Sequence, residues 1–472
     1  MVGITSAGIY VPSYRLKAET IASAWGKPPA KGERAVANHD EDSLTMAFAA
    51  AYDALRDGGM EGIGGLYFAS TTSPYAEKSV SSFIATALDL PPEARTADFG
   101  GSLRAGSAAL LGAIDAVKGG SASKVVVTAA DCRLAAPGSG SEPMVADGAA
   151  SVSIGNQEVM AEFMAYCGVY DEYADSWRKS VDYYFGTDDA RFAMTAGYAK
   201  NVRSAVKGLL NREKINPADI SKVVLVAPDL RGQSVVAREV GLDPSKLADG
   251  FATSLGFFGC AHPLIGLISA LNESNPGDLI LMVSYGDGAD ALLLKVTQEV
   301  DRLKRRELLK RTSAYARELK SYTRFLNFRR LIRSEELPYS IFTSTALTLR
   351  EREQNLKLYA LRCLGCGNIY PLRIRVCQKC HNKDKFEKMK LARKGKVFTY
   401  TQEHYYPSPD GPITMAVVDL EGGGRLIFQM TDADPAEAKV GLEVELTLRR
   451  LHEAGGYYNY YWKCRPVRAG EV

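Results

Sequence analysis

A chain of 472 residues has room for about three domains at roughly 150 residues each, and its 46% hydrophobic and 24% charged content suits large globular cores. A net charge of only +3 lends no support to a nucleic-acid-binding surface or an acidic tail. The N-terminus lacks a basic segment ahead of an apolar stretch, no run reaches the roughly 18 apolar residues of a membrane span, and half of the eight cysteines are scattered, so a cytoplasmic protein in a reducing compartment is expected, with no membrane partner.

The first 300 residues alternate between strand and helix patterns. Residues 3–11 read as a strand, 42–56 as a helix and 64–70 as a buried strand. A small-residue helix over 102–118 leads to buried strands at 124–130 and 147–154. The order then recurs: helix 196–210, strand 222–227, helix 262–271, strands 279–284 and 287–296. Asp147-Gly148-Ala149-Ala150 answers Asp287-Gly288-Ala289-Asp290, each opening an apolar run. A repeated unit of this kind predicts two similar α/β halves, 1–160 and 161–300, packed as layered mixed sheets with central helices.

Residues 301–355 form a basic, mostly helical linker. It is either a solvated connection or a surface that attracts the phosphates of a nucleotide-like ligand, and 338–353 reads as a hinge. Beyond it come Cys363-x-x-Cys366 and Cys377-x-x-Cys380. Each such turn presents two thiolates to one metal, and two turns close a tetrahedral structural zinc site, so 356–394 is predicted to be a zinc ribbon. His381 adjoins the last ligand as a bystander. Residues 395–472 then show short strands at 395–400, 415–420, 425–430, 444–449 and 457–464, separated by Gly, Pro and Asp clusters, the pattern of an OB-type barrel. Tyr457, Tyr458, Tyr460, Tyr461 and Trp462 could stack nucleic-acid bases, but alternating aromatics also fill a small barrel. No basic groove accompanies them, so no nucleic-acid partner is expected.

Several motifs carry a resemblance. They are Val2-Gly3-Ile4, Gly8-Ile9-Tyr10-Val11-Pro12, Tyr14-Arg15-Leu16, Asp40-Glu41-Asp42, Ser73-Pro74-Tyr75-Ala76, Ser176-Trp177-Arg178, Pro276-Gly277-Asp278 and Val283-Ser284-Tyr285-Gly286. Together they resemble the prokaryotic 3-hydroxy-3-methylglutaryl-CoA synthase family over roughly residues 1–330. That resemblance implies the duplicated thiolase fold. The tail resembles the zinc-ribbon and OB-fold proteins that accompany thiolase-like enzymes, and the combination is similar to benzoylsuccinyl-CoA thiolase and its relatives.

The resemblance implies synthase chemistry with an acylated cysteine at a helix N-terminus, a glutamate as general acid or base, and a histidine that orients the second substrate. By motif these positions fall on Leu103, Thr71 and Asp229, so the three groups are absent; Ser102 is a displaced alternative nucleophile. Gly259-Cys260-Ala261-His262-Pro263-Leu264 resembles the glycine-histidine-proline motif of thiolases, which implies His262 as the base. Cys260 is either a small core residue or a substitute nucleophile. Asp287 is a catalytic candidate or a turn cap, and Tyr75 a proton donor, a substrate contact or a packing residue. Leu103, Asp229, Ser284, Gly286 and Gly288 are expected to line the substrate site, with main-chain donors near the two glycines stabilising an enolate thioester. Loops such as 182–192 would line the pocket.

The resemblance thus implies a thiolase-like enzyme that makes or cleaves a carbon–carbon bond beta to a CoA thioester without an acyl-cysteine. Coenzyme A would be a substrate, acyl-CoA the ligand, zinc a structural cofactor, and a homodimer would form through the thiolase domains. Two alternatives stay open: retro-aldol cleavage of a β-hydroxyacyl-CoA, and a non-catalytic acyl-CoA-binding scaffold.

Overall fold

The computed structural model describes residues 1–56, 59–226, 230–332, 343–405 and 408–467. By contacts the chain divides into two compact units. The first comprises Met1–Ala37, Asp42–Ala85 and Leu90–Tyr322; the second comprises Asn38–Glu41, Thr86–Asp89 and Thr323–Val472. The division falls inside the segment read as a linker, and residues 338–342 of the expected hinge lie outside the described residues.

The first unit is organised by a nine-stranded mixed sheet. Its strands in chain order are β1 (Gly3–Tyr10), β2 (Ile63–Ala69), β3 (Arg95–Phe99), β4 (Lys124–Asp131), β5 (Gly148–Gly155), β6 (Ala161–Tyr170), β7 (Ile220–Leu225), β8 (Leu279–Tyr285) and β9 (Gly288–Val296), and their order across the sheet is β7-β8-β9-β6-β1-β5-β4-β2-β3. The duplication is visible in the pairing. β2 is parallel to β4, which is antiparallel to β5, which is antiparallel to β1. Likewise β7 is parallel to β8, which is antiparallel to β9, which is antiparallel to β6. β1 and β6 join the halves through Gly3↔Glu162 and Ile4↔Ala161.

Alternation along the strands sorts the side chains into two layers. On β8, Ile280 and Met282 enter one cluster with the helices α2 (Ala105–Lys118) and α4 (His262–Glu273). Leu281, Val283 and Tyr285 enter another with α3 (Lys200–Glu213). Helix α1 (Ser43–Leu55) packs on β1 so closely that a Cβ on Gly8 would collide with the Ala50 carbonyl and the Ala54 amide. Its start is a capping box: Asp42 accepts from the Thr45 N–H and the Thr45 hydroxyl accepts from the Asp42 N–H, both at 3.0 Å. Pro263 sits in the first turn of α4, where a missing N–H costs no helical bond.

The second unit holds two small sheets. Strands β10 (Tyr359–Cys363), β11 (Ile369–Tyr370) and β12 (Phe386–Lys390) form a three-stranded sheet around the cysteine knuckles. Strands β13 (Lys394–Glu403), β14 (Ile413–Leu420), β15 (Arg425–Gln429), β16 (Glu443–Ala454) and β17 (Tyr457–Pro466) run in the order β15-β14-β13-β16-β17. A parallel bridge from Met430 to Cys464 draws the two edges together, as an OB barrel requires. The aromatic-rich last strand does send Trp462 into the barrel at 2% exposure.

A buried ion network ties the second unit. Arg449 is fully buried, with Asp432 at 2.6 Å, Glu41 at 2.8 Å and Asp40 at 3.5 Å, while Lys463 reaches Asp40 at 2.9 Å. Burial pushes the Asp40 carboxyl up, but Lys463, His39 and Arg449 outweigh it and hold the group below its ordinary range. Asp40 and Glu41, legible only as part of a family motif, thus serve this unit's core.

Candidate functional site

The parallel strands β2, β4, β7 and β8 end on the same side as the starts of α2 and α4, the place where an α/β sheet offers helix N-termini to a ligand. The Ser102-Leu103-Arg104 turn leads into α2. Gly286 lies flush against it: a Cβ there would meet Ser102 Oγ at 2.9 Å and Leu103 N at 3.1 Å. The glycine has φ +154°, and Asp287 beside it adopts a left-handed φ of +49°. Arg104 locks the two segments, donating to the carbonyls of Gly286, Asp287 (2.8 Å) and Val169 (3.3 Å) and pairing with Asp290 at 3.0 Å. Ser107 and Tyr166 donate to the same Asp290 carboxylate at 2.6 and 3.0 Å.

Of the main-chain donors expected near the two glycines, one is occupied within the loop. The Gly286 N–H donates to the Gly288 carbonyl at 3.0 Å, and Gly288 is paired into the sheet opposite Tyr170. The Leu103 N–H, by contrast, has no acceptor within the chain among the described residues. It sits where the dipole of α2 favours negative charge. Leu103 itself is half-buried and offers no nucleophile.

Asp131, at the end of β4, is the hub that sequence reasoning missed. It is fully buried and accepts from Ser70 Oγ (3.1 Å), Thr71 N (2.7 Å), Thr71 Oγ1 (2.9 Å), Thr72 Oγ1 (3.1 Å) and Cys260 N (2.8 Å). A carboxylate has about four lone-pair positions, so Asp131 is saturated and has none left for a substrate proton. It fixes the turn after β2 and the start of α4 relative to each other. A carboxylate closing the apolar run Val125-Val126-Val127-Thr128-Ala129-Ala130 was the available clue.

Cys260 and His262 are sealed. Cys260 is 0% exposed, its thiol lies 3.5 Å from the Ala69 carbonyl, and burial together with Asp131 pushes it well above the ordinary thiol range. A thiol so held is a poor nucleophile at neutral pH. The His262 ring packs between Phe257 (5.1 Å) and Phe258 (5.9 Å, stacked), and its Nδ1 accepts from the Phe258 N–H at 3.5 Å. Burial lowers its pKa to about 4, against a small opposing effect from Asp249. Among the described residues no hydrogen bond links it to Leu103, Thr71 or Asp131. The structure shows His262 as a buried ring packed on Phe257 and Phe258, with no hydrogen bond to the Leu103 turn among the described residues. Asp287 is exposed, Tyr75 is half-buried in the segment after Thr71, and Ser284 is fully buried, its hydroxyl without a hydrogen-bond partner among the described residues. Asp229 lies outside the described residues.

A loop over 171–189 closes across the turn. Arg178 donates to the Thr71 carbonyl at 2.7 Å, Arg133 to Ser176 Oγ at 3.1 Å, and the Phe185 N–H to the Leu134 carbonyl at 3.1 Å. Asp175 on this loop accepts from the Tyr285 hydroxyl at 2.5 Å. A separate cavity of about 960 Å³ is lined by Lys31, Met144, Arg191, Met194, Val235 and Phe257.

In the second unit the sulfurs of Cys363, Cys366, Cys377 and Cys380 lie within 4.8 Å of one another, with Cys363–Cys380 at 3.6 Å and Cys366–Cys377 at 3.5 Å. A tetrahedron with Zn–S of about 2.3 Å has edges of about 3.8 Å, so the donor set fits a closed four-thiolate zinc site. No helix among the described residues is long and apolar enough to cross a membrane.

The family model of the ChsH2 C-terminal OB-fold domain matches residues 389–449. The chain has curated relatives over about two thirds of its length. The hydroxymethylglutaryl-CoA synthase of Methanopyrus kandleri is 31% identical over 315 residues, covering 64% of this chain and 90% of that one. Its counterpart in Methanocaldococcus jannaschii is 32% identical over 348 residues, covering 71% of this chain and 100% of the relative. Among solved structures, MvaS in complex with 3-hydroxy-3-methylglutaryl coenzyme A superposes with a TM-score of 0.62 at 18% identity, over 72% of this chain and 94% of that one. The 3-oxoacyl-(acyl carrier protein) synthase III of Pseudomonas aeruginosa gives 0.58 at 16% identity, over 63% and 98%. At such identities these likenesses establish the fold.

Proposed function

The chain belongs to the hydroxymethylglutaryl-CoA synthase family, and from that premise we propose that it makes or breaks the bond between the α and β carbons of a β-oxo- or β-hydroxyacyl-CoA without forming an acyl-enzyme. One observation carries the reading. The turn at the start of α2 keeps its helix N-terminus and the unpaired Leu103 N–H, yet presents a leucine side chain, while the thiol of Cys260 is buried. A main-chain donor aimed at the thioester oxygen stabilises the enolate that both condensation and cleavage pass through. A leucine beside it packs the acyl chain and cannot be acylated.

The 960 Å³ cavity is the proposed channel for the CoA arm. Its small and apolar walls suit pantetheine, and Lys31 and Arg191 in its lining, beside Glu33 and Glu239, offer cations for phosphates. Solved family neighbours hold CoA and 3-hydroxy-3-methylglutaryl-CoA, which supports acyl-CoA as the substrate class. The proposed zinc is structural, held by all four thiolates with no open position. A homodimer would pair through β3, which has β2 as its single partner in the sheet among the described residues.

Offering β-oxoacyl- and β-hydroxyacyl-CoAs with and without free CoA, and acyl-CoA pairs for the reverse direction, tests the reading. Products that require free CoA assign thiolysis, and products formed without it assign aldol chemistry. Tight binding of every substrate with no turnover in either direction would sink the enzyme reading in favour of an acyl-CoA-binding scaffold.

A further inference from the structure

We propose that Arg104 is a positioning residue: by tying the Gly286–Asp287 loop of the second half to the α2 turn of the first, it sets the aim of the Leu103 N–H at the thioester oxygen. The inference rests on the reading above and names the residue that holds that reading's donor in place.

The donor is left over by its own turn. Its neighbours are committed: the Arg104 N–H donates to Ser102 Oγ at 3.3 Å and the Ala105 N–H to the Ser102 carbonyl at 3.0 Å. The Leu103 N–H between them has no acceptor among the described residues. Its surroundings come from far along the chain. A Cβ on Gly286 would stand 3.1 Å from the Leu103 nitrogen, so the bare main chain of Gly286 borders this donor directly. A loop displaced toward the turn would cover the N–H, and one displaced away would let water reach it.

Arg104 is the tie between the two segments. Among the described residues no main-chain hydrogen bond joins 101–104 to 285–288. The Arg104 side chain crosses instead. Its Nε donates to the Gly286 carbonyl and its Nη2 to the Asp287 carbonyl at 2.8 Å. Its Nη1 reaches the Val169 carbonyl at 3.3 Å and Asp290 at 3.0 Å. A guanidinium presents its donors in one rigid plane, so it fixes direction as well as distance. The loop needs such a hold. Asp287 has a left-handed φ of +49°, a backbone state that persists in a non-glycine residue where its surroundings impose it.

Asp290 in turn fixes the arginine. It lies on β9 opposite Ser284 of β8 and accepts from Ser107 Oγ at 2.6 Å and the Tyr166 hydroxyl at 3.0 Å. Ser107 stands in the first turn of α2 and donates to the Arg104 carbonyl at 2.9 Å as well, so the anchor grips both sides of the joint. The side chains of Arg104 and Asp290 are only 21% and 5% exposed, so salt screens the pair little. Such rigidity has a chemical use. A main-chain donor stabilises an enolate only when it is already placed where the charge develops, and a misplacement of about 1 Å can cost roughly 10²-fold in rate.

The test pairs Arg104→Lys with Arg104→Met. Lysine keeps a charge for Asp290, but a point charge cannot fork to three carbonyls, so a merely structural ion pair would tolerate it. Two quantities are read: kcat and KM for carbon–carbon turnover, and the Leu103 amide proton resonance in leucine-labelled protein on adding acetyl-CoA alone. In wild-type protein the resonance should move downfield as the N–H gains the thioester oxygen. Arg104→Lys should lose most of that shift and roughly tenfold or more in kcat, with KM within a few-fold and hydrogen-exchange protection of α2 and β8 retained. Arg104→Met should lose roughly 10²-fold in kcat. A wild-type shift or a wild-type kcat in Arg104→Lys overturns the proposal. So does a loss confined to KM, which would make Arg104 a substrate-binding group. Loss of α2 and β8 protection in Arg104→Lys overturns it too, because the residue would then hold the fold rather than the donor. Wild-type turnover with an unmoved Leu103 resonance sinks the proposal and leaves the function reading standing. A shift that depends on Arg104, with no carbon–carbon turnover by wild type, does the reverse.

Discussion

Replacing His262 with glutamine should flatten the pH dependence of stability around α4. In the folded chain the imidazole titrates near 4 because burial among Phe257 and Phe258 disfavours its charged form. In the unfolded chain it titrates near 6.5. The unfolded state therefore takes up a proton as pH falls through about 6.5, and the folded state takes it up only near about 4. The stability from this residue is complete above 6.5 and is lost between about 6.5 and 4. The gap of about 2.5 pK units corresponds to about 3 kcal/mol in full, of which about 2 kcal/mol is lost between pH 7 and pH 5. Pulsed hydrogen exchange through a urea series, read on peptides covering His262–Glu273 at both pH values, measures it. Wild-type protein should lose about 2 kcal/mol more than His262→Gln over that interval. Equal losses would mean that the imidazole titrates normally, as an accessible base would, and would refute its assignment as a neutral packing group.

Three further outcomes are expected. A Cys363→Ser/Cys380→Ser variant should lose its zinc and leave residues 356–394 sensitive to protease, because a thiolate site binds through its full shell; metal analysis and limited proteolysis check this. Arg449→Met should destabilise the second unit by about 3–5 kcal/mol, since it removes the buried cation shared by Asp40, Glu41 and Asp432, leaving Lys463 on Asp40 and Arg465 on Asp432; exchange protection of β16 and β17 reads the loss. Gly288→Ala should cost more than about 1 kcal/mol, because φ is +114° there and a Cβ would collide with the Val169 carbonyl; the Leu279–Tyr285 peptide should lose protection first.

Much of the architecture was legible because it is local. The repeated strand and helix patterns rest on period-2 and period-3.6 burial, and both halves appear with matching pairing. The knuckle cysteines are three residues apart and meet by turn geometry alone. The site was less legible because its bonds are long-range. Asp131 reaches Cys260 across 129 positions, and Tyr285 reaches Asp175 across 110, so no local pattern announces either. His262 is a different case. Gly-x-x-His-Pro was recognisable, but which way the ring points depends on where Phe257 and Phe258 lie, and they cage it.

The central claim is carbon–carbon chemistry without an acyl-enzyme, and the intact mass of the protein after incubation with a substrate it turns over tests it most directly. The account predicts an unchanged mass during turnover, because Leu103 cannot be acylated and Cys260 is sealed. An acyl adduct that forms and decays at the rate of turnover, mapped to Cys260 or Ser102, would contradict it.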